Sequence, residues 1–582
     1  MEGKILLVAI NAKYIHSNLA VYCLKEYAGK YKDNIEIAEY TINQYTDFIF
    51  QDIYRKKPKY LLFSCYIWNI EYVRTLIKNL KKVLKDTEIW VGGPEVSYSG
   101  EEFLEKNIEV SGVMTGEGEI IFNNLCKVWL GDGEKGENID KENVEKEDIA
   151  KLESINGIVY RTESGEIKIN PHECIMDLSD VPFPYDDLKK FENKIIYYES
   201  SRGCPFSCSY CLSSIDKKLR FRDIELVKKE LKIFIDAGIP QVKFVDRTFN
   251  CKKSHAMEIW KFIMENDNGI TNFHFEVSAD LIGDDELNLF KQMRPGLIQL
   301  EIGVQTTNPV TIKEIDRHMD LDSLRNTVNI INSFKNIHQH LDLIAGLPYE
   351  DYESFKKSFN DVYDMHPEQL QLGFLKVLNG AKMKRNSKEY CLVYTDEPPY
   401  EVLETKWISY DDILKLKGVE NMVEIYYNSR QFTNTIECLE SKYETPFMMF
   451  EELGNYYELH KLSEVKHNRI QRYDILSEFI KNKSLEYDIF RELLVLDIYL
   501  RENIKTRPGF AKAADKEELK PYYNKYRECG KNIHIEQFGI DIMEWINNRK
   551  IIRGKHIILF DYRERNPVNM WCKLEELLGN EE

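Results

Sequence analysis

Positive charge is in short supply: 97 Asp and Glu face 79 Lys and Arg, for a net charge of −18 at pH 7. That balance argues against general affinity for nucleic-acid phosphates, which needs a basic footprint. Arg549, Lys550, Arg553, Lys555, Arg563 and Arg565 do gather near the C-terminus, but strand-like residues from Ile557 to Phe560 lie among them, so the group reads as a solvated rim. Long apolar runs are missing too. None approaches the roughly 18 residues of a membrane span, and Met1-Glu2-Gly3-Lys4 passes directly into a strand pattern with no leader. The chain also has no cysteine framework. Of its 12 cysteines, nine are scattered at Cys23, Cys65, Cys126, Cys174, Cys251, Cys391, Cys438, Cys529 and Cys572, a usage that suits a reducing cytoplasm. Apolar material is ample, at 43% hydrophobic and 12% aromatic residues. At about 150 residues per domain, three or four units can each bury a core.

The other three cysteines form one run, Ser201-Arg202-Gly203-Cys204-Pro205-Phe206-Ser207-Cys208-Ser209-Tyr210-Cys211. The C-x3-C-x2-C spacing brings three thiolates onto one short loop able to grip an iron-sulfur cube by three corners, which leaves the fourth iron open for substrate chemistry. A zinc site would want C-x2-C and a second pair, and there is no second pair. The run resembles the signature loop of the radical S-adenosylmethionine (SAM) superfamily. The resemblance implies a [4Fe-4S] cluster on Cys204, Cys208 and Cys211, with SAM chelated at the open iron, Tyr210 against its adenine and Phe206 among the SAM contacts.

Patterning divides the chain into an α/β protein of four segments. Residues 1–130 alternate short apolar strands (Ile5 to Ile10, Ile35 to Thr41, Tyr60 to Cys65, Glu88 to Val91, Gly112 to Thr115) with amphipathic helices, the clearest from Glu71 to Lys85. This predicts a doubly wound parallel sheet whose ligand loops lie at the strand C-termini. Residues 131–194 read as an acidic linker, Gly131 to Asp148, then a hairpin turning at Glu163-Ser164-Gly165 and a Pro-spaced connector. Residues 195–380 show six further βα repeats, a partial (βα)6 barrel with its chemistry at the strand C-termini. Residues 381–582 read as a mainly helical domain of unknown function, with one strand-like stretch from Ile557 to Tyr562.

Strand ends in the barrel extend the resemblance. It implies SAM contacts from Asp246 after the second strand, Glu276 and Ser278 at the third, Glu301 and Gln305 in the E-x-G-x-Q segment of the fourth, and Gly346 in the glycine segment of the fifth. The N-terminal unit resembles the cobalamin-binding domain that precedes many radical SAM enzymes. The carriers are Val91-Gly92-Gly93-Pro94-Glu95 and the stretch Gly112 to Glu119, which place Gly92, Gly93, Pro94, Glu95, Gly116, Glu117 and Gly118 at strand ends, where backbone can approach a large planar ligand. The D-x-H-x-x-G loop that supplies a histidine to cobalt in mutase-type domains is absent. His16 is the sole candidate there and reads as a hydrogen-bonding group, so the resemblance implies cobalamin without a histidine ligand, the space below cobalt filled by residues such as Tyr66 or Trp68.

The expected activity is reductive SAM cleavage by a cobalamin-dependent radical SAM enzyme. It would serve methyl transfer to an unactivated carbon first, or a cyclisation or rearrangement, on a small-molecule substrate, with flavodoxin or ferredoxin as the type of electron donor. Two alternatives stand beside it. A methylthiotransferase-like enzyme would bind a second cluster on Cys23, Cys65 and Cys126, although Cys23 and Cys126 fall mid-helix and read as small core residues. A non-catalytic cobalamin or SAM sensor would have no need of an open, reducible cluster.

Overall fold

The computed structural model describes residues 4–131, 151–173, 175–483, 485–512, 515–566 and 568–577. Most of the acidic linker therefore lies outside the described residues. The chain forms two compact units: Met1–Leu300 with Ile312–Asp320 and Leu375–Lys406, and Glu301–Thr311 with Leu321–Phe374 and Trp407–Glu582.

In the first unit, β1 (Ile5–Asn11), β2 (Ile35–Thr41), β3 (Tyr60–Ser64), β4 (Glu88–Gly92) and β5 (Gly112–Met114) pair in parallel in the order β2-β1-β3-β4-β5. Both faces are covered, so β1 reads as an unbroken buried run, ILLVAIN, rather than an alternating one. One core packs Leu6, Val8, Phe63 and Val91 on one face, and a second packs Leu7, Ala9, Leu62 and Trp90 on the other. The hairpin β6 (Ile158–Arg161) and β7 (Ile167–Ile169) belongs to this sheet. β6 adds antiparallel to β5, which makes seven strands. The expected hairpin forms, and Val159 and Tyr160 bury against the sheet cores and leave the β5 edge paired.

The chain continues through β8 (Ile196–Tyr198), the short pair β9 (Ser201–Arg202) and β10 (Arg220–Phe221), then β11 (Gln241–Phe244), β12 (Asn272–Val277), β13 (Ile298–Gln305), β14 (His338–Ala345) and β15 (Gln369–Phe374). The strand order is β15-β14-β13-β12-β11-β8, with β13 running from the first unit into the second. Intervening helices, such as Ile224–Asp236 and Lys253–Glu265, make this a six-repeat βα core. The order is sequential; β11 pairs in parallel with β8 and β12 in the first unit, and β14 with β15 in the second.

The C-terminal part of the second unit is mainly helical, as expected, and ends in a sheet of which the sequence predicts only the stretch from Ile557 to Tyr562. Helices Tyr410–Met422, Thr433–Glu440, Pro446–Leu459, Arg469–Asn482 and Tyr487–Arg501 are followed by a three-stranded antiparallel sheet of Ile533–Ile540, Arg553–Arg565 and Cys572–Glu576. Its apolar face is short (Ile533, Ile535, Ile557, Leu559), and the flanking residues are charged, which masks the period-2 signal. The C-terminal basic residues are largely engaged within this unit: Arg549 with Glu437, Lys555 with Glu518 and Arg563 with Asp561.

Candidate functional site

The cysteine loop is held by backbone bonds within the first unit. Cys204 N–H donates to Asp216 O at 3.2 Å, Ser209 N–H to Ile315 O at 2.9 Å, and Met383 N–H to Ser209 O at 2.8 Å. Gly203, at φ +95°, enters the loop where a Cβ would stand 2.7 Å from Lys218 O, so no other residue fits without a shift of backbone. Cys204 and Cys208 are buried and Cys211 is half-buried; all three are free thiols. Their sulfurs are not gathered within 4.8 Å of one another. Arg317 points its Nη1 at Cys208 Sγ (3.8 Å) and donates to Tyr210 Oη (3.2 Å). Burial raises the Cys208 pKa and the Arg317 charge opposes that rise.

Strand β8 leads into the loop through Ser200 and Ser201, and both are pinned by Asp246. Its carboxylate accepts from Ser200 N–H (2.9 Å), Ser200 Oγ (2.6 Å) and Ser201 Oγ (2.6 Å) while fully buried. Burial pushes its pKa up to about 6 against these hydrogen bonds. The structure therefore gives Asp246 a bracing place beneath the loop, not the open SAM-facing place expected for it. Ser278 Oγ is likewise committed, to Asp280.

Next to the loop lies a cavity of about 700 Å³. Eight of the nine residues expected at cobalamin line it: Tyr66, Trp68, Gly92, Gly93, Pro94, Gly116, Glu117 and Gly118. Glu95 is the exception, because its carboxylate accepts from Tyr400 Oη. Gly93 holds φ +111°, and a Cβ there would stand 2.5 Å from Cys65 O, so the turn after β4 can pack against β3 only as glycine. Tyr66 and Trp68 stack with centroids 4.3 Å apart, and Trp68 Nε1 donates to Ile10 O at 3.1 Å. Asn69 locks this loop by donating to Ile10 O and Ser64 O and accepting from Tyr66 N–H. His16 also faces the cavity, with Nδ1 2.7 Å from Tyr197 Oη; burial, with Lys13 and Lys243, lowers its pKa.

The same cavity is lined by Glu199, Ser201, Arg202, Gly203, Leu212 and Asp216 from the cysteine segment. Arg202 binds Glu119 and Glu199 at 2.8 and 2.7 Å and reaches Glu117 at 3.2 Å. Burial alone would raise Glu119, yet the Arg202 charge and hydrogen bonds outweigh it and hold the carboxyl below its usual range. Arg220 takes up Glu117 and Asp216. Arg202 was legible as the neighbour of Gly203 in the cysteine run. Arg317, 109 residues from Cys208, carried no sequence signal.

In the second unit, Gln305 ends β13 at φ +73° with a buried Oε1 that receives no hydrogen bond among the described residues, the kind of orphan acceptor a ligand satisfies. Glu301 sits with His340 and Asp342, their ligand atoms within 4.8 Å of one another. Gly346 is buried at φ +87°. Phe206 and Tyr210 are half-buried in the cysteine loop, and Glu276 is half-buried on β12.

The fold and the cysteine loop define a βα iron-sulfur protein with an α/β ligand domain ahead of it. Comparisons with known proteins make that specific. The B12 binding domain family matches residues 5–126, the Radical SAM superfamily matches 198–362, and a protein family of unknown function, DUF4080, matches 388–560. A B12-binding match followed by a radical SAM match is the domain order of the radical SAM enzymes that carry a cobalamin-binding domain, and the chain is similar to them. It is 25% identical over 290 residues to an uncharacterized methyltransferase, PH0819, of Pyrococcus horikoshii, covering 48% of this chain and 58% of that protein. It is 24% identical over 351 residues to the cobalamin-dependent radical SAM methyltransferase TokK of Streptomyces tokunonensis, covering 57% and 49%. The chain thus spans about half the length of these relatives. The solved structure of the cobalamin-dependent SAM radical enzyme OxsB, with aqua-cobalamin and SAM bound, shares the fold at TM-score 0.57 and 16% identity, covering 91% of this chain and 84% of that one. Among the described residues no helix is long and apolar enough to cross a membrane.

Proposed function

We propose that this protein is a cobalamin-dependent radical SAM methyltransferase acting on an unactivated carbon of a small molecule. The observation that carries the reading is the shared cavity: the glycine turns after β4 and β5 and both flanks of the cysteine loop line one space within one compact unit. When bound, the [4Fe-4S] cluster and cobalamin supply the electron that cleaves SAM and the carrier that delivers a methyl group.

The chain's own residues do the rest. Cys204, Cys208 and Cys211 hold the cluster at three corners, and Asp246, through Ser200 and Ser201, sets the angle at which the loop leaves β8. Gly92, Gly93, Pro94, Gly116 and Gly118 let backbone amides approach the corrin and its tail. Tyr66 and Trp68 form a flat apolar face that excludes water and offers cobalt no nitrogen. Gln305, Glu301 and Gly346 are the candidates for SAM in the second unit. The electron donor is of the flavodoxin or ferredoxin type. Methyl transfer is favoured over cyclisation by the two methyltransferase relatives.

The test is paramagnetic resonance of the cobalt(II) form, alongside product analysis after anaerobic reconstitution with SAM. A spectrum without nitrogen hyperfine splitting, with 5′-deoxyadenosine formed, is the expected result. Splitting that disappears in His16→Ala would overturn the ligand-free reading, and failure to bind cobalamin would overturn the whole proposal.

A further inference from the structure

Charge in the cavity wall is almost entirely committed. The lining carboxylates Glu117, Glu119, Glu199 and Asp216 are all paired with Arg202 or Arg220. Arg247 is different. It lines the cavity, is exposed, and among the described residues makes no ion pair or hydrogen bond. Its neighbour Asp246 cannot serve it, because that carboxylate is buried on Ser200 and Ser201. Its other neighbour, Thr248, places Oγ1 3.7 Å from Cys204 Sγ. The backbone at Arg247 is therefore fixed on both sides, beside the cysteine loop, while the guanidinium is left to the cavity. Tyr66 and Trp68 line the same cavity. An unpaired guanidinium on this cavity wall matches a planar or tetrahedral oxyanion, which it can bind in two-pronged fashion.

We propose that Arg247 anchors an anionic group, a phosphate or a carboxylate, of the substrate. This rests on the cofactor assignment above and adds the substrate's chemical class.

The experiment uses full-length protein with its cluster reconstituted and cobalamin bound, both confirmed first by absorbance. Loss of either cofactor would count against the parent reading rather than this one. Phenylglyoxal labelling of Arg247 is followed by peptide mass spectrometry with no addition, with SAM, with inorganic phosphate and with acetate. The expected result is rapid labelling that SAM leaves unchanged and that phosphate or acetate slows. Arg247→Gln should weaken phosphate binding about tenfold, the loss of a charge-assisted pair, with Arg247→Lys intermediate and SAM and cobalamin affinities unaltered.

Three results would overturn the proposal. Protection by SAM alone would assign Arg247 to the SAM carboxylate. Labelling that is slow with cobalamin but fast with cobinamide, which lacks the phosphate and base, would assign it to the cofactor's tail. Indifference to both anions would leave no anion site.

Discussion

The first unit contains two sets of three cysteines that share a residue type and little else. Cys204, Cys208 and Cys211 come from one eight-residue loop tied by Asp216 O, Ile315 O and Met383 N–H, with the Arg317 cation beside Cys208. Cys23, Cys65 and Cys126 lie in three different apolar clusters, one against Met176 and Leu178 and the others on opposite faces of the parallel sheet. Burial pushes the Cys126 thiol up to about 12 and the other two well above their usual range. The contrast separates thiols gathered on one loop beside a cation, the arrangement a ligand set needs, from thiols dispersed into core as small hydrophobes.

The strongest way to break the comparison is to remove the loop thiols. Cys204→Ala, Cys208→Ala or Cys211→Ala should each take iron from about four per chain to near zero and abolish SAM cleavage. In the triple variant, iron counting should still return almost nothing; about four irons remaining would move Cys23, Cys65 and Cys126 into the ligand role and favour a second cluster. Next in size is reactivity. In cluster-free folded protein, iodoacetamide should label the half-buried Cys211 well before Cys23, Cys65 and Cys126, which should stay unlabelled until denaturant is added, as peptide mass spectrometry would show; equal labelling would erase the distinction. A smaller effect is expected at Arg317. A cation beside a cluster thiolate stabilises the reduced, more negative state, so Arg317→Gln should lower the reduction potential by tens of millivolts in a spectroelectrochemical titration. Least is expected for chemistry at Cys126→Ser: iron content stays unchanged, while a hydroxyl in an apolar cluster costs about 1–3 kcal/mol in denaturant unfolding.

The legibility of the site followed the same physics. The strand ends of the first sheet could be read because buried parallel strands are continuous apolar runs bounded by glycine, and eight of nine glycine-loop and aromatic residues do face one cavity. Glu95 could not be read, since its direction depends on Tyr400, 305 residues away. Asp246 looked like a ligand group at a strand end and proved to be a brace, because the serines that occupy it precede the cysteine loop on another strand. Of the C-terminal sheet only the stretch from Ile557 to Tyr562 could be read, because the flanking strands are half charged.

Local spacing in the chain alone determined the three-thiolate loop, the βα periodicity and the glycine turns, since each depends on residues only a few positions apart. Tertiary structure decided which charges are spent and which are free. Arg202 is surrounded by three carboxylates from two segments, Arg317 is set against a thiol, and Arg247 is left facing the cavity. Those outcomes depend on distances between groups far apart in the chain, and Coulomb and hydrogen-bond energies are decided over a few ångströms.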